Sequence, residues 1–202
     1  VMASPYAAPV LENNPDVDEV FLYEPAARKR LIKEIREGKF DACVCVYPSF
    51  ETASLLASCG IKKRIGTAYR WFSPLFFNVP VKIRRKHSVK HEADYNLELV
   101  EHITGKKTAD RIYYYPTGAE KAAAGEYLTK HGLLPEFVII HPGSKGSAWN
   151  ISRQKYAEAA DAVSTFAKVL LTGGPAEKAM LMSIMDSMKN GENVVVMEEE
   201  MT

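Results

Sequence analysis

Residues 137–147 read FVIIHPGSKGS and contain the strongest indication of the fold class. The four apolar residues at 137–140 predict a buried strand, and the Gly- and Ser-rich run after them predicts a loop. The spacing of apolar residues then predicts a helix over 152–166 and a strand over 169–171. A strand, a helix and a second buried strand in this order indicate a parallel βαβ unit.

The same alternation extends in both directions along the chain. After the TGG turn at 172–174, the sequence predicts a helix over 175–189 and a strand over 194–197. Earlier in the chain, it predicts strands over 17–23, 41–46 and 64–67 and helices over 25–38 and 49–60. Residues 41–46 read DACVCV, and an apolar run of this length predicts a central parallel strand that is covered on both faces.

The remaining segments are less regular. Residues 1–3 are typical of the end of a strand, and Ser4 followed by Pro5 predicts a short helix that stops before Asn13. Residues 68–91 are aromatic and basic, which predicts an excursion out of the sheet.

Two further helices are predicted over 92–105 and 117–132, the second from the capping-box spacing of Thr117 and Glu120. We therefore predict an α/β chain with two Rossmann-like domains over 1–115 and 116–202. The second sheet has three predicted strands, fewer than the five or six of a typical sheet, so we expect the second domain to be incomplete in this chain. Residues 1–3 are typical of a strand end, so we expect the first domain to be incomplete as well.

Composition and charge narrow the functional classes. The 202 residues are 47% hydrophobic and 25% charged, which is ordinary for a globular protein. The net charge of +1 gives no global electrostatic reason to bind nucleic acid. No apolar run approaches the ~20 residues that span a bilayer. Cys43, Cys45 and Cys59 lack zinc-site spacing, so we interpret them as reduced core thiols of a cytoplasmic protein.

The loop after the strand at 137–140 is a candidate phosphate site. Its glycines would let backbone N–H groups approach an anion at the carboxyl edge of the sheet. A flexible strand-to-helix turn is the alternative interpretation. His141 is a candidate base by position, although a histidine at a strand end is more often satisfied by neighbouring backbone. The candidate donor-binding residues in this loop are Gly143, Ser144, Lys145, Gly146 and Ser147.

The TGGPAE segment at 172–177 is a second candidate. Gly173 and Gly174 permit close approach of a ligand, and the Glu177 carboxylate could accept hydrogen bonds from a ribose diol. A glutamate in the first turn of a helix is also favoured simply by the helix dipole, so both interpretations stay open.

The basic stretch at 82–91 is a third candidate, with Arg84, Arg85, Lys86 and Lys90 as possible anion-binding residues. Such runs are usually solvated loops. Together with the aromatic residues before it, the stretch could instead bind a phosphorylated, lipid-linked sugar or RNA, and the near-zero net charge weakens RNA. The sequence contains no recognisable nucleophile–base set, paired carboxylates or metal-ligand cluster, so we expect no metal and no cofactor.

Six segments in order resemble glycosyltransferase family 9, the lipopolysaccharide heptosyltransferases, over essentially the whole chain. The HPGS and TGGPAE blocks are the most specific. The segments are PYAAPVLENNPDVDEV, KFDACVCVYPS, KKRIG, HEADYNLELVEHITG, VIIHPGSKGSAWNISRQKYAEAADAV and VLLTGGPAE.

This resemblance implies a GT-B architecture, in which the first domain binds the acceptor and the second binds an ADP-sugar. It implies that Gly143 and Ser144 cradle the diphosphate, that Glu177 meets the ribose, and that the sugar's anomeric centre is inverted. By position and charge, Arg84, Arg85 and Lys86 would face an acidic acceptor.

Two departures from the family pattern matter. The family usually has a basic residue two positions before a Trp in the donor loop, whereas the aligned positions here are Trp149 and Ile151. Lys145 could take over that charge. The family's first strand with its Asp base and its last donor block have no counterpart here, so we expect the catalytic base outside this chain and no heptose transfer by residues 1–202 alone.

The sequence therefore predicts part of a bacterial, cytoplasmic glycosyltransferase that works at the inner face of the inner membrane. Its expected partners are ADP-heptose as donor and a phosphorylated, lipid-linked sugar as acceptor. Two alternatives remain: a sugar-nucleotide epimerase of the same fold, and a non-catalytic two-lobed module that binds a nucleotide or a sugar.

Overall fold

The computed structural model describes residues 1–86, 89–106, 112–144 and 151–197. It confirms the α/β class, because strands alternate with helices and every strand pair within these ranges is parallel. Two compact units are present, Val1–Tyr115 and Pro116–Thr202. No helix within the described ranges has the length and apolar character needed to cross a membrane.

The first unit contains two small parallel sheets, with strand orders β1–β2 and β3–β4–β5. Its elements are β1 (Met2–Ala3), β2 (Phe21–Leu22), α1 (Arg28–Glu37), β3 (Ala42–Val44), α2 (Phe50–Ser58), β4 (Lys63–Thr67), α3 (Ser73–Phe76), β5 (Val79–Val81) and α4 (Glu92–Thr104). A short 3-10 turn, Pro25–Ala27, leads into α1.

Local signals set the ends of these helices. The Ser49 hydroxyl accepts the N–H of Thr52, and the Thr52 hydroxyl accepts the N–H of Ser49, which together form a capping box at the start of α2. Helix α4 ends at Gly105, which adopts φ 67° and so takes the left-handed conformation that closes a helix.

Strand β3 has an apolar side chain on each face of its sheet. Cys43 and Cys45 belong to the core that α1 and α2 form on one face. Val44 points to the opposite core, which contains Tyr95 and Leu99 of α4. Because helices cover both faces, this sheet has the doubly wound arrangement that the sequence predicts.

Two sequence predictions for the first unit are wrong in detail. The short helix predicted to open at Ser4 and Pro5 begins later, as a 3-10 helix at Ala8–Leu11 with Pro9 in its first turn. Strand β3 is parallel as expected, but β4 is the central strand of the three-stranded sheet. Helices pack on both faces of this sheet, so an outer strand such as β3 can also be apolar on both sides.

The predicted excursion at 68–91 is also corrected. Residues Val79–Val81 form β5, which pairs with β4, and Phe77 packs into the core. A Cβ on Gly66 would lie 2.6 Å from the Phe77 ring, so the glycine in β4 makes room for this side chain. Pro80, which lacks a backbone N–H, occurs in an outer strand of the sheet, where proline is tolerated.

The second unit contains one parallel sheet of order β6–β7–β8. Its elements are α5 (Gly118–Lys130), β6 (Phe137–Ile140), α6 (Arg153–Ser164), β7 (Lys168–Leu171), α7 (Lys178–Asp186) and β8 (Val194–Val196). Helices α6 and α7 pack on one core with the central strand, in which Val169 and Leu171 are fully buried. The predicted strands and helices of this unit are present, although α7 is shorter than expected and follows a 3-10 turn at Pro175–Glu177. The prediction that 137–140 is a buried strand is wrong: β6 is an outer strand of its sheet, and Ile139 is 57% exposed.

Candidate functional site

Two loops of the second unit meet at the carboxyl edge of its sheet. β6 and β7 are parallel neighbours, so the residues that follow them come out side by side. His141 Nδ1 lies 3.0 Å from Thr172 Oγ1, a hydrogen bond that joins the first residues after the two strands. The partner of His141 is therefore a side chain rather than the backbone that we expected.

The Glu177 carboxylate makes further contacts with both loops. Its Oε2 accepts the N–H of Gly174 at 2.8 Å, which caps the turn that leads into α7. A Cβ built on Gly143 would lie 2.0 Å from Glu177 Oε1 and 2.3 Å from its Cδ. The carboxylate therefore fills the space that any side chain at position 143 would need. A buried Pro142 fixes the backbone just before this contact.

The structure thus brings together four of the predicted donor-binding residues: Gly143, Gly173, Gly174 and Glu177. Ser144 follows Gly143 directly and is half-buried. The other predicted donor residues, Lys145, Gly146 and Ser147, lie outside the described residues, as does Trp149.

The first unit carries a cavity of about 470 Å³ at the carboxyl edge of its three-stranded sheet. Its walls come from the segments that follow the three strands. They are Val46, Tyr47 and Pro48 after β3, then Thr67, Tyr69 and Arg70 at the end of β4, then Ile83, Arg84, Arg85 and Lys86 after β5. No Asp or Glu is among the described residues that line it, so the cavity is cationic.

Neighbouring side chains position two of its cations. The Arg84 guanidinium lies over the Tyr69 ring, 4.9 Å from its centroid. Arg85 donates from Nε to the Glu92 carboxylate at 2.7 Å and from Nη2 to the Asn96 side chain at 2.8 Å. Both partners of Arg85 belong to α4, so this helix holds the guanidinium at the cavity wall.

Lys90 is the one predicted acceptor residue that does not line the cavity. Its ammonium group pairs with the Glu98 carboxylate and lies 5.9 Å from the centroid of the Tyr95 ring. This hydrogen bond to Glu98 raises the pKa of Lys90. Arg84, Arg85 and Lys86 therefore line the cavity, whereas Lys90 lies outside its lining and shares the Tyr95 ring with Arg85, whose guanidinium is 5.6 Å from the ring centroid.

The sequence did not single out Tyr47, Thr67 or Arg70 as site residues, although all three line the cavity. Their common signal is position: each follows or ends a strand of one parallel sheet, at the edge where open α/β sheets bind ligands. Arg70 also belongs to the aromatic and basic stretch. The sequence did not predict β5, however, and it is the pairing of β4 with β5 that brings Arg70 and Arg84 to the same cavity.

The cysteines form no part of either site. Burial raises the pKa of the Cys43 thiol to about 12 and that of Cys45 to about 11, and it also raises the pKa of Cys59. All three are free thiols in the structure. Nowhere in the described ranges do three His, Cys, Asp or Glu residues come together as metal ligands would.

The chain is similar in sequence to proteins of a known family. Residues 28–197 match glycosyltransferase family 9 (heptosyltransferase). A Haemophilus influenzae protein with a provisional glycosyltransferase name is 30% identical over 186 residues, which cover 85% of this chain and 54% of that protein. The chain thus spans about half the length of this curated relative.

Solved structures show the same fold. A glycosyltransferase family 9 protein from Veillonella parvula superimposes with a TM-score of 0.76 at 19% identity, over 96% of this chain and 59% of that one. The E. coli ADP-heptose lipopolysaccharide heptosyltransferase II superimposes with a TM-score of 0.67 at 20% identity, over 97% of this chain and 62% of that one. This likeness confirms the expected fold of GT-B type. By its sequence pattern over residues 28–197, the chain belongs to glycosyltransferase family 9.

Proposed function

We propose that the chain is the part of an inverting heptosyltransferase that binds both substrates, with ADP-heptose as donor and the inner core of lipopolysaccharide as acceptor. Family membership supports glycosyl transfer. The name of the E. coli structural neighbour supports ADP-heptose and lipopolysaccharide as the substrates to test first.

The observation that carries the proposal is the convergence of Gly143, Gly174 and Glu177 at one sheet edge. Backbone N–H groups at the carboxyl ends of parallel strands suit a diphosphate, because they bring partial positive charge without a bulky side chain. In our assignment, the Gly143–Ser144 segment binds the diphosphate. Glu177 accepts hydrogen bonds from the ribose hydroxyls, and its bond to Gly174 orients the carboxylate.

The cationic cavity of the first unit supplies the acceptor half of the proposal. Arg70, Arg84, Arg85 and Lys86 all line it, and no carboxylate of the described lining opposes them. Glu92 pairs with Arg85 from outside the lining, and the cavity still keeps a net positive charge. Such a cavity favours a ligand that carries several negative charges, such as a phosphorylated sugar on a lipid. We place that acceptor at the cytoplasmic face of the inner membrane.

The proposed reaction is a single displacement at the anomeric carbon. The acceptor oxygen forms its bond to this carbon while the bond to the diphosphate oxygen breaks, so the configuration inverts and ADP leaves. Main-chain donors near Gly143 would stabilise the negative charge that develops on the leaving diphosphate. The acceptor proton requires a base, and we assign none among the described residues because no carboxylate lines the cavity.

Calorimetric titration with ADP, ADP-heptose and UDP-glucose tests the donor assignment. We expect ADP-heptose to bind more tightly than UDP-glucose. Replacing Glu177 with Ala should weaken ADP binding about tenfold, since a hydrogen bond to a charged group contributes roughly 1.5–3 kcal/mol. Exposed Glu192 in the same unit provides the matched control, and Glu192→Ala should bind ADP like the parent. Tighter binding of UDP-glucose, or an unaffected Glu177→Ala, would contradict the assignment.

A further inference from the structure

Two aromatic side chains form an exposed shelf beside the cationic cavity. Phe50 and Trp71 stack with their ring centroids 5.6 Å apart and their planes inclined by 17°. Trp71 is 76% exposed and Phe50 is 43% exposed, so the pair presents flat apolar surface to solvent. We call these two residues the aromatic shelf.

The two chain segments that carry the shelf also contribute residues to the cavity wall. Phe50 begins α2 just after Pro48, which lines the cavity. Trp71 directly follows Arg70, another lining residue. The two segments that leave the wall after β3 and β4 therefore each contribute one ring, and the rings meet.

Other aromatic side chains of the first unit pack against the shelf and fix its position. The Phe50 ring makes edge contacts with Phe72 and Phe76, at centroid distances of 6.0 Å and 5.3 Å. Phe72 belongs to the buried core of the first unit. An exposed stack anchored to a core is a rigid surface, and exposed apolar surface next to polar groups commonly marks a ligand site.

We propose that the aromatic shelf binds the apolar face of an acceptor sugar ring whose phosphate occupies the neighbouring cationic cavity. A pyranose presents a face of C–H groups that matches a flat aromatic ring, and its substituents carry the charge that the cavity complements. This inference rests on the proposed function, because it takes the cavity as the acceptor's anion site. It makes Trp71 a residue that distinguishes a phosphorylated sugar from a bare phosphate.

The test compares two soluble probes, glucose 6-phosphate and inorganic phosphate, in titrations of the full chain. Both probes carry the anion, but only glucose 6-phosphate carries a sugar ring. We expect glucose 6-phosphate to bind about fivefold more tightly, which corresponds to one favourable aromatic contact. Trp71→Ala should abolish this preference and leave phosphate binding unchanged, whereas Trp71→Phe should retain most of it.

Two controls make the result specific. Phe166→Ala removes a similarly exposed aromatic residue from the second unit and should not alter the preference. Arg84→Ala should weaken both probes together, because it removes a cation from the cavity. In a separate experiment, binding to vesicles of anionic phospholipid is measured. We expect the Trp71→Ala variant to bind these vesicles as the parent does.

The outcomes separate this inference from the proposed function. If Arg84→Ala weakens both probes but Trp71→Ala keeps the preference for glucose 6-phosphate, the shelf assignment is wrong and the anion site stands. If Arg84→Ala changes neither probe, the acceptor site and the shelf assignment fail together. If Trp71→Ala impairs vesicle binding and leaves the sugar preference intact, the shelf contacts lipid and the inference is overturned.

Discussion

Gly143 lies against the carboxylate of Glu177, and this contact links the two loops of the proposed donor site. The glycine is required by space rather than by backbone conformation, since a Cβ would lie 2.0 Å from Glu177 Oε1. Glu177 in turn caps Gly174. The glutamate thus has a structural role that the structure shows directly, beside the ribose contact that we propose.

Gly143→Ala should disturb both roles of Glu177 at once. The added methyl group must displace the carboxylate, which then loses its hydrogen bond to the Gly174 N–H. We expect the free energy of unfolding in urea to fall by about 1 kcal/mol, because one charge-assisted hydrogen bond at a half-buried site is lost. ADP binding should weaken in the same variant.

Gly125→Ala is the matched control for this substitution. Gly125 lies inside α5, and nothing lies within 4 Å of a Cβ built there. Alanine should therefore stabilise the protein by roughly 0.5–1 kcal/mol, the usual difference between these residues in a helix interior. A Gly143→Ala variant as stable as the parent would show that Glu177 relaxes without cost.

The cysteine thiols should be unreactive while the protein is folded. Burial raises the pKa of Cys43 from 9.0 to about 12 and that of Cys45 from 9.0 to about 11, so both are protonated at pH 8. We expect a disulfide reagent such as dithionitrobenzoate to modify them slowly at this pH. All 3 thiols should react promptly in guanidinium chloride.

The same shift predicts a pH dependence of stability. A folded-state pKa above the unfolded value of 9.0 contributes stability that is present below pH 9 and is lost as the pH rises towards about 12. Cys43→Ala should therefore lose less stability than the parent between pH 9 and pH 11, as measured by thermal unfolding. Equal losses, or rapid modification of the folded protein, would contradict the burial of this thiol.

At the scale of single helices and strands, short-range chemistry accounts for what the sequence revealed. Thr117 and Glu120 predicted the start of α5, and the structure has both hydrogen bonds of the capping box. Ser152 likewise caps α6, where the sequence placed a helix start. Caps are recognisable from sequence because their partners lie only three residues apart.

Strand β5 could not be predicted from its own sequence. Pro80 and the aromatic and basic residues around it weaken the strand pattern, and only pairing with β4 reveals it. The cavity depends on β5, because Arg84 and Lys86 reach the sheet edge by following that strand. The contact between Gly143 and Glu177 is equally hidden, since it depends on the register of two strands.

The capping box of α5 offers a direct test at this scale. Helix α5 has no fully buried residue, so its ends depend strongly on local hydrogen bonds. We expect Thr117→Ala to lower the free energy of unfolding by about 1 kcal/mol and to speed amide exchange at Glu120.

Thr129→Ala on the same helix is the comparison variant. The Thr129 hydroxyl donates back to the Gly125 carbonyl of its own helix, so alanine there should be neutral or slightly stabilising. If both variants lose the same stability, the cap at Thr117 contributes nothing particular to α5.

At the scale of the whole molecule, the two compact units carry chemically different sites. The second unit offers glycine-rich loops and one carboxylate, which suit a nucleotide diphosphate. The first offers a cavity lined by cations, with an aromatic shelf beside it. Each site lies at the carboxyl edge of its own parallel sheet, so the same topological rule places both. The central claim of our functional proposal is that the second unit binds the nucleotide-sugar donor and the first unit binds the acceptor.

Backbone amide spectra of the ¹⁵N-labelled chain during titration with ADP test that claim most directly. We predict that ADP shifts the amide signals of Gly143, Ser144, Gly173 and Gly174 and leaves those of Arg84–Lys86 in place, whereas inorganic phosphate at low concentration shifts the Arg84–Lys86 signals. Glu177→Ala should reduce only the response to ADP. Shifts at Arg84–Lys86 on adding ADP, with the glycine signals unmoved, would contradict the account.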